Sequence, residues 1–369
     1  MRNEKSSVKV AGIGKMSKVA ICKVGEGDEC IEKATRRAMK LCNWRRYVKG
    51  EKLVLKPNLV WDLLYPGVDT NPGVIRGVLQ EVTKYFNDVT IVEANTAAGA
   101  YADRGFRNLG IDKLAAEFNA KCVSLGKDKY QKIRNNGYAI KVLDVPQTLL
   151  DADCIITIPV LKTHMITGIT CSIKNQWGCI HELRHNYHLH IDKALFDVNN
   201  FLKEKLKFAV LDATICLEGM GPKLGVPREL GYVFASNDLV SMDAAAATVM
   251  GFDPKEIGHL VFCNEKGLGD INFHIVGDAL PRENFKRARK NIVIGSEFFF
   301  RKLGLEKLFF KTPLFELLRR AAQIYNTTWY ILEGRTRRDR MLKTRYGTYW
   351  KKYARKRQEL WTKFGDFYI

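Results

Sequence analysis

Residues 154–180 read CIITIPVLKTHMITGITCSIKNQWGCI. The first five are apolar and mostly β-branched, the composition of a buried strand. Polar residues then follow at close intervals (Lys162, His164, Thr167, Thr170, Lys174 and Asn175), broken by Gly168 and Gly178. A buried strand running into polar side chains fits a parallel sheet, in which ligands sit beyond the carboxyl ends of the strands. The same pattern recurs on either side. Residues 53–55 run into Lys56 and Asn58, 89–92 into Glu93 and Asn95, 208–211 into Asp212, and 232–235 into Asn237 and Asp238. Further strands are expected at 19–24, 122–125 and 138–142. Helical spacing joins Ile31, Ala34, Ala38 and Leu41, and joins Val74, Val78, Val82 and Phe86. Asn71-Pro72 supplies a cap and a first-turn proline for the second of these, and Asp238 a cap for a helix over 239–250. Helices are also expected near 111–118, 191–205 and 254–266. Strands alternating with helices predict an α/β fold, a mostly parallel sheet with helices on both faces.

The chain has 369 residues, 46% hydrophobic and 27% charged, the balance of a globular protein. Its nine cysteines are scattered without a C-x-x-C pair, which fits a reducing, cytoplasmic setting and argues against an intrinsic iron–sulfur cluster. No uncharged apolar run approaches the ~20 residues that span a bilayer. The net charge of +20 is uneven: residues 282–369 hold 23 Lys/Arg against 8 Asp/Glu. The organisation expected is a basic arm at 1–15, an α/β domain at 16–284 and a basic helical extension at 285–369. In the extension, Leu314, Leu317, Leu318, Ala321 and Tyr325 share one helix face, and Tyr346, Tyr349, Trp350, Tyr353, Trp361 and Phe364 form a second stripe. Three readings stand: packing on the body or a partner, a membrane-surface helix through 300–369, and, with less weight, a nucleic-acid contact.

Lys162 and Lys174 beside freed backbone N–H groups suit a phosphate or carboxylate, and a desolvated lysine can serve as a base. His181, His185 and His188 fall at i, i+4 and i+7, a spacing that admits a metal as readily as a solvated loop. The stretch 211–225, LDATICLEGMGPKLG, sets Asp212 and Glu218 beside a glycine-rich turn and meets neither common nucleotide fingerprint. Asp243 stands one turn inside the helix that Asp238 caps.

The segments LVLKPNLV (53–60), NPGVIRGVL (71–79), IVEANTAAG (91–99), the 149–180 block, RHNYH (184–188), 211–225 and ASNDLVSMDAAAATVMGFDP (235–254) together resemble the family named domain of unknown function 362. The likeness covers roughly residues 15–270. It implies an α/β domain often found beside ferredoxin-like modules, and so redox or anaerobic metabolism. The cysteine-rich segment of many relatives is missing, so electron transfer would need an iron–sulfur partner. Carried over by position, and joined to the reading above, the expectations are these. His164, His188, Lys174 and Glu218 are catalytic. Lys56, Asn58, Glu93, Lys162, Asn175 and Arg184 bind an anionic substrate or cofactor, and Asp238 and Asp243 hold a divalent metal. The alternative is a non-catalytic docking protein acting through its basic extension.

Overall fold

The computed structural model describes residues 17–289 apart from 28, 97–100 and 181–183, residues 313–360, and short pieces at 295, 301, 303 and 367–368. In chain order the elements are β1 (Ser17–Lys23), α1 (Cys30–Leu41), β2 (Lys52–Pro57), α2 (Pro72–Val82), β3 (Asp88–Glu93), α3 (Ala102–Leu109), α4 (Ile111–Ala116) and β4 (Lys121–Ser124). Then come β5 (Tyr130–Arg134), β6 (Val142–Pro146), α5 (Gln147–Asp151), β7 (Cys154–Ile158), β8 (Val160–His164), β9 (Gly168–Thr170) and α6 (Ser172–Asn175). The body closes with α7 (Ile191–Leu202), β10 (Leu206–Glu218), β11 (Val226–Ser236), α8 (Leu239–Val249), α9 (Gly258–Glu265) and β12 (Phe273–Gly277). The C-terminal part is helical: α10 (Pro313–Trp329), a π-helical turn (Tyr330–Gly334), α11 (Arg335–Leu342) and α12 (Thr348–Tyr353).

Ten strands form one sheet, with the order β12-β1-β11-β10-β7-β2-β3-β4 and β8 branching from β10 to pair with β9. The run β10-β7-β2-β3-β4 is parallel throughout, and β11 lies antiparallel to both its neighbours. Alternation along the strands sends side chains to two cores. On one face Val54, Val92 and Ile155 meet Ile173, Leu195, Val198 and Met242. On the other, Leu53, Leu55 and Ile156 meet Val74, Val78, Ile31 and Trp350. The α/β expectation holds.

Two local expectations fail. Of the strand expected at 138–142 only Val142, which opens β6, is in a strand, because Asp197 takes the backbone N–H groups of Tyr138, Ala139 and Ile140 at 2.7–2.8 Å and so occupies the donors a ladder would need. β10 does not stop at Asp212 but runs on to Glu218, pairing with β11 as a long hairpin.

The second aromatic stripe of the C-terminal part packs on the body. Trp350, Tyr353, Tyr346 and Tyr330 are buried. Asn71, the cap of α2, donates to the Tyr346 carbonyl at 2.9 Å, and Gln358 accepts from Leu64 N at 2.7 Å. Gly110, at φ +71°, leaves no room for a Cβ beneath the Tyr353 carbonyl. Trp361 and Phe364 lie outside the described residues. All nine cysteines are free thiols. Among the described residues no helix is long and apolar enough to cross a membrane.

Candidate functional site

At the carboxyl edge of the sheet, Lys56 and Pro57 end β2, Glu93 ends β3 and Ile158 ends β7. The chain leaves β7 directly into β8, which carries Lys162 and His164, and returns through β9 to α6, which carries Lys174 and Asn175. The N-terminus of α6 is held by Asp243 of α8, which accepts from Ser172 N at 2.7 Å and Ile173 N at 3.0 Å.

The side chains gathered here fall into two layers. The inner layer is bonded within itself and to the backbone. Lys56 Nζ meets Glu93 Oε2 at 2.7 Å and the Pro57 carbonyl at 2.7 Å. Glu93 also accepts from Leu59 N and Ala94 N, each at 2.8 Å. Asn58 donates to Asn175 Oδ1 at 2.9 Å, and Asn175 donates in turn to the Lys56 carbonyl and to Thr157 Oγ1. Gln176 completes this network on Thr157 at 2.8 Å. A buried polar network in which each member has its partners holds a backbone rigidly. Four of the expected binding residues, Lys56, Asn58, Glu93 and Asn175, therefore shape the site through bonds to one another.

The outer layer is unsaturated and basic. Lys162 Nζ donates to Asn58 Oδ1 at 2.5 Å and to the Val68 carbonyl at 2.6 Å, which occupies two of its three positions. Burial pushes Lys162 down and its neighbour Asp69 up. Asp69 accepts from Trp61 N at 3.1 Å, while its Oδ2 is buried without a partner among the described residues. Lys174 is half-buried, stands 5.8 Å from the Trp177 ring centroid, and is pushed down to about 7 by burial, then by the charges of Arg184 and Lys162. Arg184 donates to the carbonyls of Trp177 and Asn95.

His164 Nδ1 accepts from Ile166 N at 3.1 Å and Thr167 N at 3.4 Å, so the neutral ring carries its proton on Nε2. Burial lowers its pKa well below the usual value, and Lys174, His188, Lys162 and His259 add to the effect. His164 is thus a neutral hydrogen-bond donor near pH 7. His259 of α9 is fully buried, has no partner for either ring nitrogen among the described residues, and is pushed down to about 3 by burial and then by Lys174.

Other expected residues stand apart. Leu217, not Glu218, is the register partner of Lys162, and the Glu218 carboxylate turns to Arg228 at 3.3 Å and Lys286 N at 3.1 Å. Asp238 caps α8 through Val240 N and Ser241 N and also accepts from Ser17 and Asp270 N. Asp212 is filled by Asn71 N and both donors of Thr214. Asp238 and Asp243, expected as metal ligands, thus engage backbone donors. Among the described residues no three His, Cys, Asp or Glu side chains gather as a metal set. His181 and the side chain of His185 lie outside the described residues.

Sequence reading missed Asp69, Lys223 and His259. Asp69 and Thr70 open the DTNP run before α2, a visible polar cluster in an apolar stretch. Lys223 lies inside the 211–225 stretch and is lowered by burial against the opposing pull of Asp62 and Asp69. His259 is a lone histidine in an apolar helix and carries no local signal.

The family described as Domain of unknown function (DUF362) matches residues 53–248. The chain is 26% identical over 232 residues to "Thylakoid-associated protein sll1697" of Synechocystis, covering 59% of this chain and 69% of that one. Among solved structures, the lactate racemase apoprotein from Thermoanaerobacterium thermosaccharolyticum is similar over 55% of this chain and 51% of its own, with 14% identity and a TM-score of 0.31. A Thermotoga maritima protein aligns over 53% of each chain, with 13% identity and a TM-score of 0.34. The chain spans about half the length of each, and at these scores neither likeness carries an argument.

Proposed function

Because the chain belongs to the family described as Domain of unknown function (DUF362), whose description assigns no reaction, we propose its function from the chemistry of the site: it binds the phosphate or carboxylate group of a small molecule and carries out acid–base chemistry on it. One observation carries this reading. Lys174 is brought under burial beside the charges of Arg184 and Lys162, and it has no acidic partner among the described residues. Like charges brought together under burial oppose folding, and an anion held among them reverses the sign.

The protonation states support the roles inferred. Arg184 and Lys174 hold the anion, and His164 donates from Nε2 without changing charge. Lys174, with a pKa near neutrality, is the group best placed to take or give a proton, since a catalytic pKa near the working pH is the effective one. Lys162, with two positions donated, keeps a lone pair when neutral and is the second base. This reassigns the acid–base role from His164, whose accepting nitrogen is already taken.

Replacing Lys174 with Met tests the reading. Inorganic sulfate or malonate should raise the melting temperature of the parent in a saturable way. The variant should melt at or above the parent, because a repelled charge is gone, and should bind these anions about 10–100-fold more weakly, the equivalent of one charged hydrogen bond. The general stabilising effect of sulfate moves both proteins alike and cancels in the comparison. Equal anion response in parent and variant would remove Lys174 from the site.

A further inference from the structure

Helix α10 presents its apolar face to solvent. Leu317 is 63% exposed, Ile324 67%, Tyr325 61%, Ile331 42% and Leu332 73%. With Ala321 and Thr328, also exposed, they recur at three- and four-residue steps and make one continuous stripe from α10 through the π-helical turn. The helix is held at its C-terminal end. Tyr330 is fully buried, donates to the Leu64 carbonyl at 2.9 Å and packs edge-on against Trp61 at 5.4 Å, while Trp329 meets Tyr65 at 5.6 Å. The stripe thus runs into a turn that is anchored on the body.

Beyond the stripe the chain turns basic. The same helix continues into α11 with exposed Arg340, and exposed Lys343, Arg345, Lys351, Lys352, Lys356 and Arg357 come next in the chain. Among described side chains of 317–357 the acidic ones are Glu333 and Asp339, and each is ion-paired, with Arg337 at 2.9 Å and Arg338 at 2.8 Å. An exposed apolar stripe on a helix fixed at its C-terminal end, succeeded by a run of exposed cations, matches the boundary of an anionic bilayer: acyl chains for the stripe, headgroups for the lysines and arginines.

We propose that the Leu317–Leu332 face of α10 and the π-helical turn is a docking surface for an anionic lipid bilayer, on which the protein lies without crossing it. It is independent of the anion site. The test is co-sedimentation of the full chain with vesicles of phosphatidylcholine alone and of an equal mixture with phosphatidylglycerol. Binding to the mixed vesicles is expected to be about tenfold or more tighter than to the neutral ones and to weaken as salt is raised. Joint replacement Ile324→Asp and Leu332→Asp, at positions exposed enough to leave the melting temperature unchanged, should abolish it, and Arg340→Ser with Lys343→Ser should weaken it. Failure to bind the mixed vesicles would overturn the proposal, as would undiminished binding by the Asp variant. Self-association in sedimentation velocity that the Asp variant abolishes, without vesicle binding, would assign the face to a second copy of the chain and overturn it too.

Discussion

A chain ended before Pro313 is expected not to fold. Such a truncation removes Tyr330, Met341, Tyr346, Trp350 and Tyr353, all buried. Each is worth ~1.5–3 kcal/mol of burial, so the loss is of the order of the entire ~5–15 kcal/mol stability of a domain. It also strips the carbonyl partner from Asn71 at the start of α2 and the Gln358 acceptor from Leu64 N. Expected results are loss of the near-ultraviolet circular dichroism and of a cooperative urea transition. Trp350→Ala, a milder change, should cost ~3–5 kcal/mol and lower the urea midpoint without changing the slope. A cooperative transition in the truncated chain would mean that these contacts are incidental. The basic extension expected from the sequence is therefore joined to the body from 330 onward, and deletion cannot separate a docking role from a catalytic one. Point changes on the exposed stripe of α10 can.

The second large effect is at the inner layer. Glu93→Ala leaves the Lys56 ammonium buried beside a carbonyl with no countercharge and orphans Leu59 N and Ala94 N. Breaking a buried pair by removing one partner costs ~3–5 kcal/mol, because the remaining charge stays desolvated. Glu93→Gln, which keeps an acceptor oxygen, should lose less. The two variants together separate charge from hydrogen bonding in urea melts. Gly178 tests the same point sterically, since a Cβ there would stand 2.7 Å from Glu93 Oε1 and 3.0 Å from Lys56 Cε. If Glu93→Ala melts within ~1 kcal/mol of the parent, the inner layer is not what holds the strand ends together.

The strand ends are legible in the sequence because the signal is local. A short, mostly apolar run ending in lysine or glutamate names both the strand and its carboxyl end, and Lys56 and Glu93 are placed at strand ends that way. Asn71 and Asp238 are legible as caps for the same reason, each followed at once by its helix. What local pattern does not show is the division of labour. Whether Asn58 faces a ligand or Asn175 depends on a partner 117 positions away. His259 enters the site from α9 and carries no pattern of its own. The 138–142 stretch has strand-like residues, yet a carboxylate from position 197 consumes its donors. The apolar face of α10 leaves packing and a membrane surface both open in sequence, because periodicity reports amphipathicity and not which side meets the body.

The most direct test of the anion site rests on Lys174, whose folded pKa of about 7 leaves it mostly neutral at pH 8. An anion favours the charged form and must raise that pKa, so binding at pH 8 takes up protons, and affinity falls as pH rises above about 7, by up to about tenfold per pH unit. Inorganic sulfate does not titrate in this range, so any proton taken up belongs to the protein. The measurement is calorimetric titration of sulfate at pH 8 in two buffers of different ionisation enthalpy. A Lys174-centred site predicts uptake approaching one proton per sulfate in the parent, with none of that uptake in Lys174→Met. Sulfate binding without proton uptake, or with the same uptake in both proteins, would contradict it.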